Sequence, residues 1–310
     1  MDGVDKAVTS PMRIALVGAS GFVGGAVLRE LQRDHEVIRI GAPRLSTGAA
    51  TVSSLKREAE QVTFRFPTRC DVVINAAGMA APSSASSHSL FGANTLLPLV
   101  LQRAAIEVGA DRMLHISSAA VQGRAVMLDE SPSWFPESPY AQSKALAEQA
   151  LLSSDSHFTT ILRPTSVHGH GRAITASLAR LARSPMSTVA SPGTDPTPQV
   201  HVSNVARAVR YMVEAEDPPR IALQPSEGLT TSGILRLLGG RDPSELPRST
   251  ALSTLAVGSH LAKLVDSGRL RAAIRRLEML WFGQKQDSGW LDHKFPDLTV
   301  PCPLWNELRP

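Results

Sequence analysis

The stretch Arg13-Ile14-Ala15-Leu16-Val17-Gly18-Ala19-Ser20-Gly21-Phe22-Val23-Gly24 decides the fold of this chain. A short apolar run ends in glycines at every third position, and the continuation from Gly25 to Arg33 has helical periodicity. A second short strand is expected at Glu36 to Ile40. Strand, glycine turn, helix and strand in this order form the setting in which such a turn binds a dinucleotide. Gly18 permits the tight turn, Gly21 lets the backbone approach a pyrophosphate, and Gly24 lets the helix lie close on the strand. The helix N-terminus adds free N–H groups and partial positive charge. Ser20, Phe22 and Val23 complete the expected cofactor-binding turn.

A second signal lies in Pro139-Tyr140-Ala141-Gln142-Ser143-Lys144, at the head of a helical stretch reaching Leu152. The spacing puts Tyr140 and Lys144 on one helical face, a turn apart. An ammonium beside a phenol favours the phenolate, so the pair predicts a Tyr140 that exchanges protons nearer neutral pH than the ordinary value of about 10.

The spacing Gly-x-x-Gly-x-x-Gly together with Tyr-x-x-x-Lys resembles the short-chain dehydrogenases/reductases. Asp71-Val-Val-Ile-Asn-Ala-Ala-Gly78 is similar to the strand that passes under the cofactor in the extended branch, the epimerase/dehydratase/reductase group. Asn94 to Gly123 resembles the next helix and strand, Arg163-Pro-Thr-Ser-Val-His-Gly169 the segment passing the nicotinamide, and Gln199 to Val209 a later strand and helix. The matches run in the family's order from residue 12 to about 212. The resemblance implies an α/β fold, a Rossmann-like doubly wound parallel sheet with a smaller, mostly helical substrate-binding lobe. Residues 12–165 with 200–225 are expected to form the NAD(P)-binding domain, and 166–199 with 226–310 the lobe.

Alternation along the first 165 residues agrees with parallel strands covered by helices on both faces. Strands are expected at 13–17, 36–40, 71–75, 112–117 and 159–162, with 62–66 a further candidate, and helices at 22–33, 94–108 and 140–152. Residues 44–69 give no regular pattern. A Pro/Ser/Gly-rich loop is expected at 184–198, then helical stretches at 230–238 and 251–282.

Composition excludes several classes. The chain has 310 residues, 43% hydrophobic and 19% charged, enough for a substantial core. Its two cysteines, Cys70 and Cys302, give neither metal spacing nor a disulfide framework, which points to a reducing cytoplasm. No apolar signal region opens the chain, and residues 1–10 are expected to fray. No stretch approaches the ~20 continuous apolar residues of a membrane span. A net charge of +4 with arginines dispersed argues against nucleic acid. The densest basic cluster, Arg269, Arg271, Arg275 and Arg276, reads as a solvated helix face or, more sharply, as a source of anion contacts to substrate.

The resemblance assigns roles. Tyr140 becomes the general acid/base, Lys144 the residue that holds the nicotinamide ribose and lowers the tyrosine pKa, and Ser118 a hydrogen-bond donor to the reacting oxygen. Ser117, one position earlier, faces the other way. Gly18, Ala76, Ala77, Gly78, Ser117, Pro164 and Val167 are expected to line the cofactor crevice beyond the strand ends. Asn94 is read as a cap of its own helix, ahead of a role in orienting the site through hydrogen bonds. Gly41 stands where an acid would select NAD, and Arg44, ahead of Arg39, is placed to pair with a 2'-phosphate, so NADP is expected over NAD.

Departures from the pattern narrow the chemistry. The segment after Ser118 lacks the Asp-Glu pair of sugar-nucleotide 4,6-dehydratases, Gln122 replaces a tyrosine, and Thr165-Ser166 a Phe-Asn pair. His168 is expected beside the nicotinamide; His115 and His170 are read as structural or solvated. The favoured expectation is an NADPH-dependent reductase of a nucleotide-linked keto-sugar, for example a 4-keto-6-deoxy sugar, acting as a homodimer. The alternatives are a sugar-nucleotide epimerase, a reductase of a non-sugar ketone, and a cofactor-sensing regulatory protein.

Overall fold

The computed structural model describes residues 10–80, 87–153, 157–265 and 268–308, the side chains of 268 and 269 aside. The expectation for residues 1–9 and the side chain of Arg269 lie outside this range. The first half of the chain runs β1 (Arg13–Val17), α1 (Phe22–Leu31), β2 (Glu36–Ile40), α2 (Val52–Gln61), β3 (Val72–Asn75), α3 (His88–Phe91), a π-helical turn (Gly92–Leu96), α4 (Leu97–Glu107), β4 (Arg112–Ile116), β5 (Met127–Leu128), α5 (Pro139–Leu152) and β6 (Thr159–Arg163). The second half runs β7 (Ser166–His168), α6 (Ala173–Arg183), β8 (Thr188–Ala190), β9 (Gln199–His201), α7 (Val202–Glu214), β10 (Ile221–Leu223), α8 (Thr231–Gly239), β11 (Ser244–Leu246), α9 (Arg248–Leu264), α10 (Gly268–Phe282), β12 (Lys285–Gln286) and α11 (Trp290–Lys294).

Six parallel strands form one sheet in the order β10-β6-β4-β3-β1-β2. The apolar runs of β1, β3 and β6 are buried on both faces, as parallel strands covered by crossover helices must be, while β2 is a half-exposed edge strand. One face packs on α1 and α7, where Ile14, Leu16, Val27, Leu31, Val205 and Val209 meet. The other carries α2, α4 and α5 over Ala15, Val17, Val73, Leu101 and Ile161. Leu291 and Leu298 return from the far end of the chain to join the first core.

Four sequence expectations change. Residues 62–66 form no strand, although Phe64 and Phe66 turn inward and their rings meet edge to face at 5.3 Å. Alternation reported which residues are buried; it carried no information about a neighbouring backbone to pair with. The helix expected from Asn94 arrives instead through the π-helical turn, where a Cβ on Gly92 would stand 2.0 Å from the Leu45 carbonyl oxygen. The 184–198 loop contains β8, which pairs in parallel with β11, and the stretch 251–282 is two helices, α9 and α10.

Candidate functional site

The carboxyl ends of β1, β3, β4 and β6 open on one crevice. At β1 the chain leaves the sheet through Gly18, whose φ of +89° suits glycine, and a Cβ there would lie 2.5 Å from the Ala77 nitrogen. A Cβ on Gly24 would lie 2.1 Å from the Gly18 oxygen, so this glycine lets α1 approach the turn itself. Gly21 caps α1 with no side-chain hydrogen bond, and Ser20 and Gly21 are exposed. The first amides of α1, from Phe22 and Val23 onward, are thus left without a side-chain cap.

Across the switch point, buried Asn75 accepts from the Ala77 amide at 3.0 Å and meets His115 Nδ1 at 3.2 Å, which fixes the path of Ala76 and Ala77 beside Gly18. His115 is a structural residue, and burial together with the Lys144 charge drives its pKa well below the usual imidazole value. Asn94 does not cap a helix. From inside the π-helical turn it accepts from the Met79 amide at 2.7 Å and donates to the Met79 carbonyl and to Ser143 Oγ, each at 3.0 Å. Thr95 Oγ1 donates to the Ser143 carbonyl at 2.8 Å. Two consecutive polar side chains of one irregular turn thus clamp α5 at Ser143, one residue before Lys144, in keeping with the frequent placement of π-bulges at functional sites.

The helix α5 starts where local chemistry says it should: Ser138 accepts from the Ala141 amide at 3.2 Å and Pro139 occupies the first turn. Its Ala141, Ala145, Ala147 and Ala150 are buried, so small side chains allow close packing. Lys144 is buried, and its ammonium donates to the Ile116 carbonyl at 3.0 Å and lies 3.3 Å from where a Gly78 Cβ would be. Burial lowers its pKa to about 8, against the charge of Glu148, which raises it.

Ser118 follows β4, where its Oγ accepts from the Ala120 amide at 3.2 Å, and its hydroxyl favours the Tyr140 phenolate. The expectation that Lys144 lowers the tyrosine pKa is not met. Burial raises the phenol above its ordinary value, and the Ser118 hydrogen bond and the charge of Arg172 pull in the other direction. The physical reason is that the ammonium is spent on a backbone carbonyl inside the fold. Ser117 points inward as expected, with a buried Oγ that finds no protein partner, as does Thr165 Oγ1. Pro164 and Val167 are buried at the β6 edge, where the Pro164 carbonyl accepts from the Ala119 amide at 2.9 Å.

Other residues fall elsewhere. His168 is not beside the crevice floor but enclosed by Gln199 at 2.7 Å, Thr175 at 3.1 Å and the Trp305 ring at 5.5 Å, and burial lowers its pKa to about 4. Gln122 is buried and donates to Asp129 at 2.6 Å, so it braces a loop. Gly41, Arg39 and Arg44 are exposed at the end of β2, and neither arginine has an ion pair among the described residues. Arg275, from the basic cluster, pairs with Glu278 at 3.0 Å and donates to the Gly123 carbonyl at 3.1 Å. It helps line a cavity of about 260 Å³ with Arg124, Arg248 and Lys285.

The sequence matches the NAD dependent epimerase/dehydratase family over residues 14–222, more than half of the chain. The chain belongs to this family. It is therefore an NAD(P)-dependent enzyme of the extended short-chain dehydrogenase/reductase type. Among solved structures, human epimerase family protein SDR39U1 with NADPH is similar over 96% of this chain and 99% of that one, at 20% identity and a TM-score of 0.63. MoeE5 with UDP-glucose and NAD is similar over 96% of each chain, at 20% identity and a TM-score of 0.61. The dTDP-4-dehydrorhamnose reductase of Bacillus anthracis with NADP is similar over 76% of this chain and 85% of that one, at 16% identity and a TM-score of 0.57. At these identities the likeness is one of fold. No curated protein matches the sequence.

The crevice fits the family's nicotinamide dinucleotide: the glycine turn is closed to any side chain, α1 is uncapped, and the orphaned Ser117 and Thr165 hydroxyls stand at adjacent strand ends. Among the described residues no helix is long and apolar enough to cross a membrane. The hydrogen bonds of Asn94 to Met79 and Ser143 correspond to the lesser of the two sequence expectations for it, orientation of the site, rather than to the favoured helix cap.

Proposed function

We propose that this enzyme uses NADPH to reduce a ketone on a nucleotide-linked sugar, with Tyr140 as the proton donor. The observation that carries the reading is the placement of Tyr140 one helical turn from buried Lys144, whose ammonium reaches the Ile116 carbonyl at the end of β4, the strand that leads into Ser118. When bound, the cofactor supplies the hydride. The raised pKa of Tyr140 keeps the phenol protonated at neutral pH, the form needed to protonate a nascent alkoxide. Ser118 donates to the same oxygen and steadies developing charge. Lys144 faces the Gly78 backbone, in position to hold the nicotinamide ribose.

Arg44 and the absence of an acid at Gly41 favour NADPH, with NAD the lesser fit. The substrate is read as held between the sheet domain and the lobe of residues 166–199 and 226–310, where a cavity is lined by Arg124, Arg248, Arg275 and Lys285 together with Asp195 and Glu278. Structural neighbours include a dTDP-4-dehydrorhamnose reductase with NADP and a UDP-glucuronic acid 4-epimerase with NAD, which supports this substrate class. The reading extends to a homodimer in a reducing cytoplasm. An epimerase would use the same residues and is set apart by product.

The test is NADPH oxidation against a panel of nucleotide-linked keto-sugars and aromatic ketones, with product analysis for epimers. Tyr140→Phe is expected to lower turnover by roughly 10²–10⁴-fold while NADPH affinity, by fluorescence titration, stays that of the wild type. Retained turnover removes the mechanism, and tighter binding of NADH than NADPH removes the cofactor preference.

A further inference from the structure

Helix α9 lies on α10 through small side chains. A Cβ on Gly258 would stand 3.4 Å from Ile274, and buried Ala251 meets Trp281, with Leu255 and Leu277 packed against them. These contacts use one side of α9. On its outer side Val257, Leu261 and Leu264 follow at intervals of four and three residues and form one stripe, which Val265 continues past the helix end. All four are between 51% and 69% exposed. A row of this kind differs from the single exposed apolar residue that is ordinary on a protein surface.

Charge singles out the same hairpin. Between Arg248 and Phe282 lie six basic residues and two acidic ones, a net +4. The remaining 26 basic and 26 acidic residues cancel, so this segment carries the whole net charge of the chain. Arg248 pairs with Asp195 at 2.7 Å and Arg275 with Glu278 at 3.0 Å, while Lys263, Arg271 and Arg276 stand exposed. One sign of charge concentrated beside an exposed apolar stripe suits an anionic surface with an apolar interior.

We infer that the α9–α10 hairpin docks on an anionic lipid surface, with Val257, Leu261, Leu264 and Val265 entering the boundary of headgroups and acyl chains and the basic residues meeting the headgroup phosphates. Two hairpins of like charge repel, which argues against a second copy of the chain on this stripe. A stable protein interface buries about 800 Å² per partner around aromatic or arginine anchors. One row of aliphatic side chains offers neither that area nor a directional group, and fluid acyl chains require neither. The chain lies on such a surface without crossing it, since among the described residues no helix is long and apolar enough to span a membrane. Nothing in this inference depends on the reading of Tyr140.

The test is cosedimentation of the full chain with vesicles of phosphatidylcholine alone and of an equal mixture with phosphatidylglycerol. Binding to the anionic vesicles is expected to be at least about tenfold stronger. It should fall severalfold as salt rises from about 0.1 M to about 1 M and the screening length shortens from about 10 Å to about 3 Å. Leu261→Ser together with Leu264→Ser is expected to weaken it by about tenfold or more, and Lys263→Glu together with Arg271→Glu to abolish the preference for the anionic mixture. Ile106→Ser, at an exposed position of α4 in the sheet domain, should change nothing. NADPH titration checks that each variant is folded, and the lipid and salt dependence of the wild type decides the matter if one is not. Absence of binding to either vesicle overturns the inference, as does equal binding to both. Binding that survives the two serine changes also overturns it, assigning the attraction to charge alone, as toward an acidic protein. Self-association without vesicles that the serine changes abolish, measured by sedimentation equilibrium, gives the stripe to a second copy and overturns it too.

Discussion

The sheet domain and the C-terminal lobe are held together by different means. In β1 the residues Ile14 to Val17 are all buried, and the glycine turn that follows is fixed by backbone against backbone. In the lobe, α9 buries Ala251 and Ala262 and leaves Leu252, Val257, Leu261 and Leu264 exposed. One junction that ties the C-terminal segment down is Glu227, which is buried and accepts from the His201 amide at 2.7 Å, from Asn204 at 2.9 Å, from the Cys302 amide at 2.8 Å and from the Trp305 indole. Leu291 and Leu298 in the first core and the pairing of β12 with β5 add to it. The first region is shaped by backbone against backbone, the second by contacts between segments distant in the chain.

Trp305→Ala strikes that junction and carries the largest expected effect on stability, about 3–5 kcal/mol, from the cavity left by a fully buried ring. Measured by denaturant unfolding beside NADPH titration, it should loosen the lobe and spare cofactor affinity at low denaturant. Parallel loss of both would mean that the two regions are one cooperative unit and would break the comparison.

Adjacent glycines in α1 sharpen it from the other side. Gly24→Ala drives a Cβ into the Gly18 carbonyl and should cost about 1–3 kcal/mol and weaken NADPH binding. Gly25→Ala meets its nearest atom, the Ala19 oxygen, at an ordinary 3.5 Å and should stabilise the helix by roughly 0.5–1 kcal/mol. Equal effects of the two would show that the turn is not shaped by backbone contact.

The smallest effects separate the regions by pH. With its folded pKa depressed to about 8, Lys144 loses its proton before the unfolded chain does. Stability relative to Lys144→Met should therefore rise between about 8 and 10.5, while turnover that needs the ammonium falls, by about tenfold per unit above 8. At the lobe junction burial lowers His168 to about 4 and lowers His201 as well, so the unfolded chain takes up protons first in acid. Stability should be lost as pH falls from 6.5 toward 4, and less so in His168→Gln. Thermal midpoints across this range check both signs.

Much of the sheet domain was legible because its signals are local. Apolar runs of strand length, a glycine turn, and Ser138-Pro139 at a helix start each state their own conformation. Phe64 and Phe66 were misread for the same reason, since a period of two marks burial and leaves strand pairing to the neighbours. The lobe resisted reading because its short strands β8 and β11 and its helices owe their placement to contacts between distant segments.

By itself, then, the sequence determined the turn that faces the cofactor and put Tyr140 and Lys144 on one helix, because both follow from spacing along a few residues. Only the tertiary structure decided which charge reaches the phenol. Lys144 turns inward to the Ile116 carbonyl, and the charge that pulls the Tyr140 pKa down against burial is that of Arg172, 32 positions beyond it in the chain. Electrostatic interaction falls with distance in space and with exposure to solvent, and neither quantity is written in the order of residues.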